Sequence, residues 1–311
     1  RLYKSGLFQS ALDLLKDTQG PYPAYLRAEC LFQLQEYKKA HKEFLKASEM
    51  RQEKERQVLI SFRIPECLWL FGEKERAISE YEKAVKLYPE APQTTDVLYR
   101  IGTYYTESLP LKAIDAFTQL LKSPDIENID SIYYLLGLCF DKIGDKEETA
   151  TNFKKVLDFS KRADLRTLAY LWTIDWLYKK GDFQETLVLA EYFTKEYPID
   201  ARKIRDVIFS CLYNLKRYNS AILLFPEIEN PSQEQFFAYA DSLYETKNYS
   251  EAIEAYKNAP ASSYIYYAIG FSYLNLGSLT EAFNSFAQSD VTEDTLYLMA
   301  DIAQSLECTT K

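Results

Sequence analysis

The segment AISEYEKAVKLYP, residues 77–89, decides how the rest of the chain is read. Ala77, Tyr81, Ala84 and Val85 share one face at helical spacing, while Glu80, Glu82, Lys83 and Lys86 point elsewhere. Small alanines flanking one tyrosine make a shallow ridge. Such a ridge suits close packing on a neighbouring helix better than roofing a globular core.

The same ridge recurs. A small residue, then an aromatic or Leu four positions on, then a small or apolar residue seven positions on, describes nine copies anchored at Ala11, Ala40, Ala77, Ala113, Thr149, Thr186, Ala221, Ala252 and Ala282. Successive anchors lie 29 to 37 residues apart, enough for two helices and two short turns. Upstream of most anchors a second apolar pattern precedes the ridge, as in YYLLGLCF before Thr149 and FFAYADSLY before Ala252. Ala28, Gly102, Gly137, Ala240 and Gly270 mark where two helices approach closely, and Asp, Lys, Gly or Asn punctuate the turns.

With these motifs in hand, the chain resembles the tetratricopeptide-repeat family over essentially its whole length. The third unit carries Gly72, Ala77, Tyr81, Ala84 and a closing Pro89; the fifth carries Leu136, Gly137, Phe140, Gly144 and Phe153; the sixth closes on Pro198. The resemblance implies an all-α, right-handed α-solenoid over residues 1–311, with the first helix of each pair lining a concave groove and a terminal capping helix over 291–311. Departures are expected to matter locally: Pro65 replaces a small residue of a first helix, Pro226 interrupts a second helix, and the charged stretches SEMRQEKERQ and SKRADLR add residues between units.

Composition agrees with an all-α chain. Only 9 glycines and 11 prolines in 311 residues leave few turn residues for a multi-stranded sheet. A net charge of -9 has the wrong sign for nucleic acid or an anionic membrane. No apolar run reaches the length of a membrane span.

His41 is the single histidine, read as a solvated surface residue, so neither a Ser/His/Asp triad nor a His-based metal site can be assembled from the chain. No glycine-rich phosphate loop occurs. An enzyme is therefore not expected, and neither is a cofactor or a metal. Cys30, Cys67, Cys139 and Cys211 each lie ten residues before an anchor, which makes them one packing site in four units. Equivalent helices sit at least about 8 Å apart, beyond disulfide reach. Buried unpaired thiols point to a reducing compartment, the cytoplasm, with the periplasm as the alternative if a signal or lipid anchor has been removed before Arg1.

Function is read from the positions that face the groove. Fifteen residues before the anchors stand Tyr25, Phe62, Tyr134, Phe237 and Tyr267, with Tyr99 equivalent where the turn is one residue shorter. Eleven before stand Glu29, Glu66, Asp175 and Asp241; eight before stand Trp69, Tyr178, Tyr213 and Tyr244. Aromatics mixed with acids suit a partner segment bearing Lys or Arg and apolar side chains. The family's grooves for acidic chaperone C-termini use Lys, Asn and Arg at such positions, and carboxylates there would repel that ligand. The expected function is a non-catalytic protein-interaction scaffold, a subunit of a larger assembly. Similarities of local stretches suggest three settings: bacterial outer-membrane assembly, the anaphase-promoting complex, or a ciliary or flagellar scaffold.

Overall fold

The computed structural model describes residues 2–124 and 126–309, and all regular structure among them is helical. The chain forms two compact units, Arg1–Ser160 and Lys161–Lys311. The division falls inside the charged stretch SKRADLR.

The first unit runs through α1 (Phe8–Leu15), α2 (Pro21–Gln33), α3 (Tyr37–Ser48), α4 (Lys54–Leu70), α5 (Lys74–Leu87), α6 (Thr94–Tyr105), α7 (Pro110–Leu120), α8 (Ile129–Lys142) and α9 (Lys146–Phe159). The second comprises α10 (Ala163–Lys180), α11 (Phe183–Glu196), α12 (Arg205–Asn214), α13 (Tyr218–Leu224), α14 (Gln233–Glu245), α15 (Tyr249–Lys257), α16 (Ser263–Asn275), α17 (Leu279–Phe286) and a terminal α18 (Glu293–Thr309). Of the capping segment expected over 291–311, residues 310 and 311 lie outside the described residues. Odd-numbered helices from α1 to α17 are the second helices of the pairs, and each carries one anchor. Ala11 is 5% exposed and the other eight anchors 0%. At this packing distance any larger side chain would have to displace the neighbouring helix.

What the ridge of residues 77–89 packs on is now visible. Ala77, Tyr81, Ala84 and Val85 join one core with Phe62 and Leu68 of their own first helix and Val97, Leu98 and Ile101 of the next. The Tyr81 hydroxyl accepts from Arg100 Nη1 of α6 at 2.8 Å. An apolar ring and a polar handle thus tie two successive pairs together, so each pair is completed by its neighbour.

Close approach is made by glycine. A Cβ added to Gly102, Gly137 or Gly270 would lie 2.5, 2.6 or 2.7 Å from the ring of Phe117, Phe153 or Phe286. Those phenylalanines stand four residues after their anchors and are buried. In the unit anchored at Thr186 this pattern fails: Ala190 occupies the fourth position, and the buried aromatic, Phe193, comes three residues later.

The four repeat cysteines are free and wholly buried. Ser242 and Ser272 fill the same place in two further pairs, also 0% exposed, each hydroxyl donating to the carbonyl four residues back. The site therefore selects small size. Burial pushes the Cys67 thiol up to about 12 and that of Cys211 to about 11.

Pro226 ends α13, and the chain continues as a short 3-10 turn, Phe225–Glu227. Pro65, by contrast, sits buried inside an uninterrupted α4, at the cost of the hydrogen bond its nitrogen cannot donate. His41 departs from the solvated reading. It is half-buried, edge-on to Phe71 at 5.8 Å, and burial together with Arg76 lowers its pKa. No helix among the described residues is long and apolar enough to cross a membrane.

Candidate protein-binding faces

All fourteen residues expected to face the groove lie on first helices. The three offsets differ by four and three residues, which puts the positions on one helical face. Their surroundings differ between the two units.

In the first unit the chain's own arginines occupy much of this face. Arg63 Nε donates to Glu29 Oε1 at 3.1 Å and Nη1 to Glu66 Oε2 at 2.6 Å, while its guanidinium lies 4.5 Å from the Phe32 ring. Glu29 also accepts from the Tyr3 hydroxyl and is 3% exposed. Arg56 covers Tyr25 at 5.6 Å. Trp69 is flanked by Lys74 at 5.4 Å and Arg100 at 5.2 Å. Phe62, 4% exposed, belongs to the core. Glu29 and Phe62 therefore depart from the lining read in the sequence. Each is closed off by a neighbouring repeat, one by an ion pair and one by packing. Tyr134 is half-buried against Phe153 at 5.9 Å. Trp69 and Tyr99, the latter 39% exposed, are brought together in an open cavity of about 810 Å³ whose wall also includes Asp96, Arg100, Tyr104 and Glu127.

In the second unit the acids are less neutralised. Asp175 is exposed and accepts from Lys179 one turn later. Tyr178 packs on Phe183 and borders a charged cavity of about 650 Å³ with Arg202, Asp206 and Glu234. Asp241 is placed differently. Its Oδ2 accepts from the Tyr213 hydroxyl at 2.7 Å and its Oδ1 from the Tyr256 hydroxyl at 3.3 Å. Burial, then the Asp241 carboxylate, pushes both phenols above their ordinary value. Phe237 lies 5.9 Å from Tyr256 and 5.3 Å from Tyr264; Tyr267 meets Phe271 edge-on at 4.8 Å; the Tyr244 hydroxyl accepts from Asn275. Asp241, Tyr244 and Tyr267 share a cavity of about 240 Å³ with Tyr256, Tyr264 and Glu245.

Sequence reasoning passed over Tyr264, 60% exposed at the lip of this cavity, and Glu245. The signal was present. Tyr264, Tyr267 and Phe271 recur at i, i+3 and i+7, and Glu245 follows Asp241 by four residues.

Pairs of antiparallel helices stacked on their neighbours, with polar and aromatic side chains along the first-helix face, define a helical-repeat protein of the kind that binds other proteins. Residues 66–90 and 130–162 match the tetratricopeptide-repeat family model. The same helix pair recurs outside those two segments. No curated protein sequence matches it. Among solved structures it is similar to Naa15/Naa10 bound to HypK-THB, at 15% identity over 98% of this chain and 50% of that one, with a TM-score of 0.52. It is also similar to a tetratricopeptide repeat protein from Parabacteroides merdae, at 13% identity over 91% and 98% of the chains (TM-score 0.42). A third likeness is the TPR2AB domain of yeast Sti1 in complex with pHSP90, at 15% identity over 91% and 98% (TM-score 0.39). At these identities the likenesses show the fold alone.

Proposed function

We propose that the chain is a non-catalytic scaffold that holds a segment of a partner protein against its first helices, as one subunit of a larger assembly. The observation that carries this reading is the open cavity around Trp69 and Tyr99: half-exposed rings grouped with Asp96, Arg100 and Glu127 on a rigid helical face. Large rigid aromatics at the centre of a contact supply area at low entropic cost. Arg63 neutralises Glu29 and Glu66, so the first unit suits an apolar segment of mixed charge. The second unit, with Asp241 and Glu245, suits a basic one. The buried unpaired thiols support a cytoplasmic location.

The test begins with affinity purification of the full-length protein from its own cells and mass spectrometry of what co-purifies. Trp69→Ala and Tyr244→Ala should each weaken the identified complex by roughly tenfold or more, the scale of a lost aromatic anchor, with thermal midpoints near wild type. Leu223→Ala and Tyr192→Ala, exposed on the second helices α13 and α11, should leave it unchanged. Folded first-helix variants that bind normally, beside second-helix variants that do not, would move the interface to the other face.

A further inference from the structure

The cavity beside Asp241 has features that partner binding in general does not require. Its lining consists of tyrosine and phenylalanine rings, Ala268 and the carboxylates of Asp241 and Glu245, with no lysine or arginine among them. Among the described residues neither Asp241 nor Glu245 forms an ion pair, although they sit one helical turn apart on α14, a like-charge spacing that a cation would relieve. In the first unit equivalent rings are covered by Arg56, Arg63 and Arg100; here that cation is missing from the fold.

We propose that this cavity is a receptor for a single cationic side chain of the partner, lysine or arginine, its charged head seated against Asp241 and its methylenes against the rings of Tyr244, Tyr267 and Phe271. Three features fit such a side chain. Aromatic faces attract a cation, and Tyr256 and Tyr264 add two further rings to the lining. Its volume, about 240 Å³, accommodates one side chain and no secondary structure. Both Asp241 oxygens already accept a tyrosine hydroxyl, which leaves a lone pair on each for an incoming cation, the arrangement by which Glu196 holds Arg166. The tyrosines hold the carboxylate in place before the ligand arrives, which lowers the ordering cost of binding.

The assignment rests on the first-helix reading above and is tested apart from it. Full-length protein with ¹³C-labelled tyrosine is titrated with three amino acids capped at both backbone ends: lysine and arginine, each charged only on its side chain, and the neutral Nε-acetyl-lysine. The capped lysine and the capped arginine should move the ring signals of Tyr244, Tyr264 and Tyr267 saturably, and the acetylated probe should leave the rings unmoved at the same concentrations. Asp241→Asn should weaken binding of the cationic probes by roughly tenfold, the range of a charge-assisted contact. Asp241 also orders Tyr213 and Tyr256, so Tyr267→Ala and Glu245→Gln, checked by circular dichroism, carry the test if Asp241→Asn misfolds. Equal shifts from the acetylated probe, or binding of the cationic probes indifferent to folded Asp241→Asn, or to both Tyr267→Ala and Glu245→Gln, would each overturn it. A partner complex that depends on Trp69 while neither cationic probe moves the rings removes the receptor and keeps the interaction face. Ring shifts from the cationic probes with partner capture insensitive to both Trp69→Ala and Tyr244→Ala keep the receptor and remove the face.

Discussion

Five residues before eight of the nine anchors, the backbone turns left-handed. Gly6, Gly72, Gly144, Gly181 and Gly277 stand there with positive φ, and so do Gln35, Lys216 and Lys247, at φ of 62°, 56° and 67°. Where a first helix precedes, the next residue's N–H reaches back five residues to a carbonyl of that helix, as Glu73 does to Leu68 and Asn248 to Leu243, closing the helix end. The unit anchored at Ala113, whose turn is one residue shorter, does without it. Glycine adopts this conformation freely, whereas a residue with a Cβ is strained in it. Gln35→Gly, Lys216→Gly and Lys247→Gly should therefore each stabilise the protein, by about 0.5 kcal/mol once glycine's greater unfolded entropy is counted, and Gly144→Ala should destabilise it by about 1 kcal/mol. Urea midpoints decide; failure of glycine to stabilise at any of the three positions would show that the strain argument is wrong. The five glycines made this turn legible in the sequence. At Gln35, Lys216 and Lys247 only the count back from the anchor could have located it, because nothing in those side chains asks for positive φ.

At the level of the helix pair, α10 and α11 are joined by a cluster that periodicity does not reveal. Arg166 donates from Nε and Nη2 to the two oxygens of Glu196, both at 2.7 Å, while Tyr170 and Tyr197 donate to the same carboxylate. The Arg166 guanidinium, foremost, holds the Glu196 carboxyl down at about 2, against an ordinary 4.5. A lowered carboxyl contributes stability above its unfolded pKa and loses it as pH falls through the folded one. Glu196→Gln should thus lower the urea midpoint at pH 6, and the gap from wild type should close between about pH 4.5 and pH 2. A gap of constant size across that range would assign the effect to packing. The helices themselves were readable from ridges and turns, and so was the break at Pro226. Pairings such as Arg63 with Glu29, or Arg100 with Trp69, were not. They join residues more than thirty apart, and only the stacking register of successive pairs decides which cation meets which ring. For the same reason the sequence marked Glu29 and Phe62 as lining without showing that neighbouring repeats close over them.

Across the whole chain, two compact units of stacked pairs imply that damage stays where it is made, since each pair is stabilised chiefly by its immediate neighbours. Phe117→Ala removes a ring buried against Gly102 and should cost about 3–5 kcal/mol locally. Hydrogen exchange should then speed up through α6, α7 and α8 while α14 to α17 keep their protection. Uniform acceleration along the chain would mean that both units open as one.

The buried thiols supply a clock for such openings. Cys30, Cys67, Cys139 and Cys211 sit in four different pairs, three in the first unit and one in the second, all without solvent contact. A thiol reagent can reach each only when its own pair parts from the next, and desolvation keeps the reactive thiolate scarce until then. With Cys308 replaced by serine, the order in which the four become labelled would time-stamp the fraying of the solenoid pair by pair, using reporters the chain already carries.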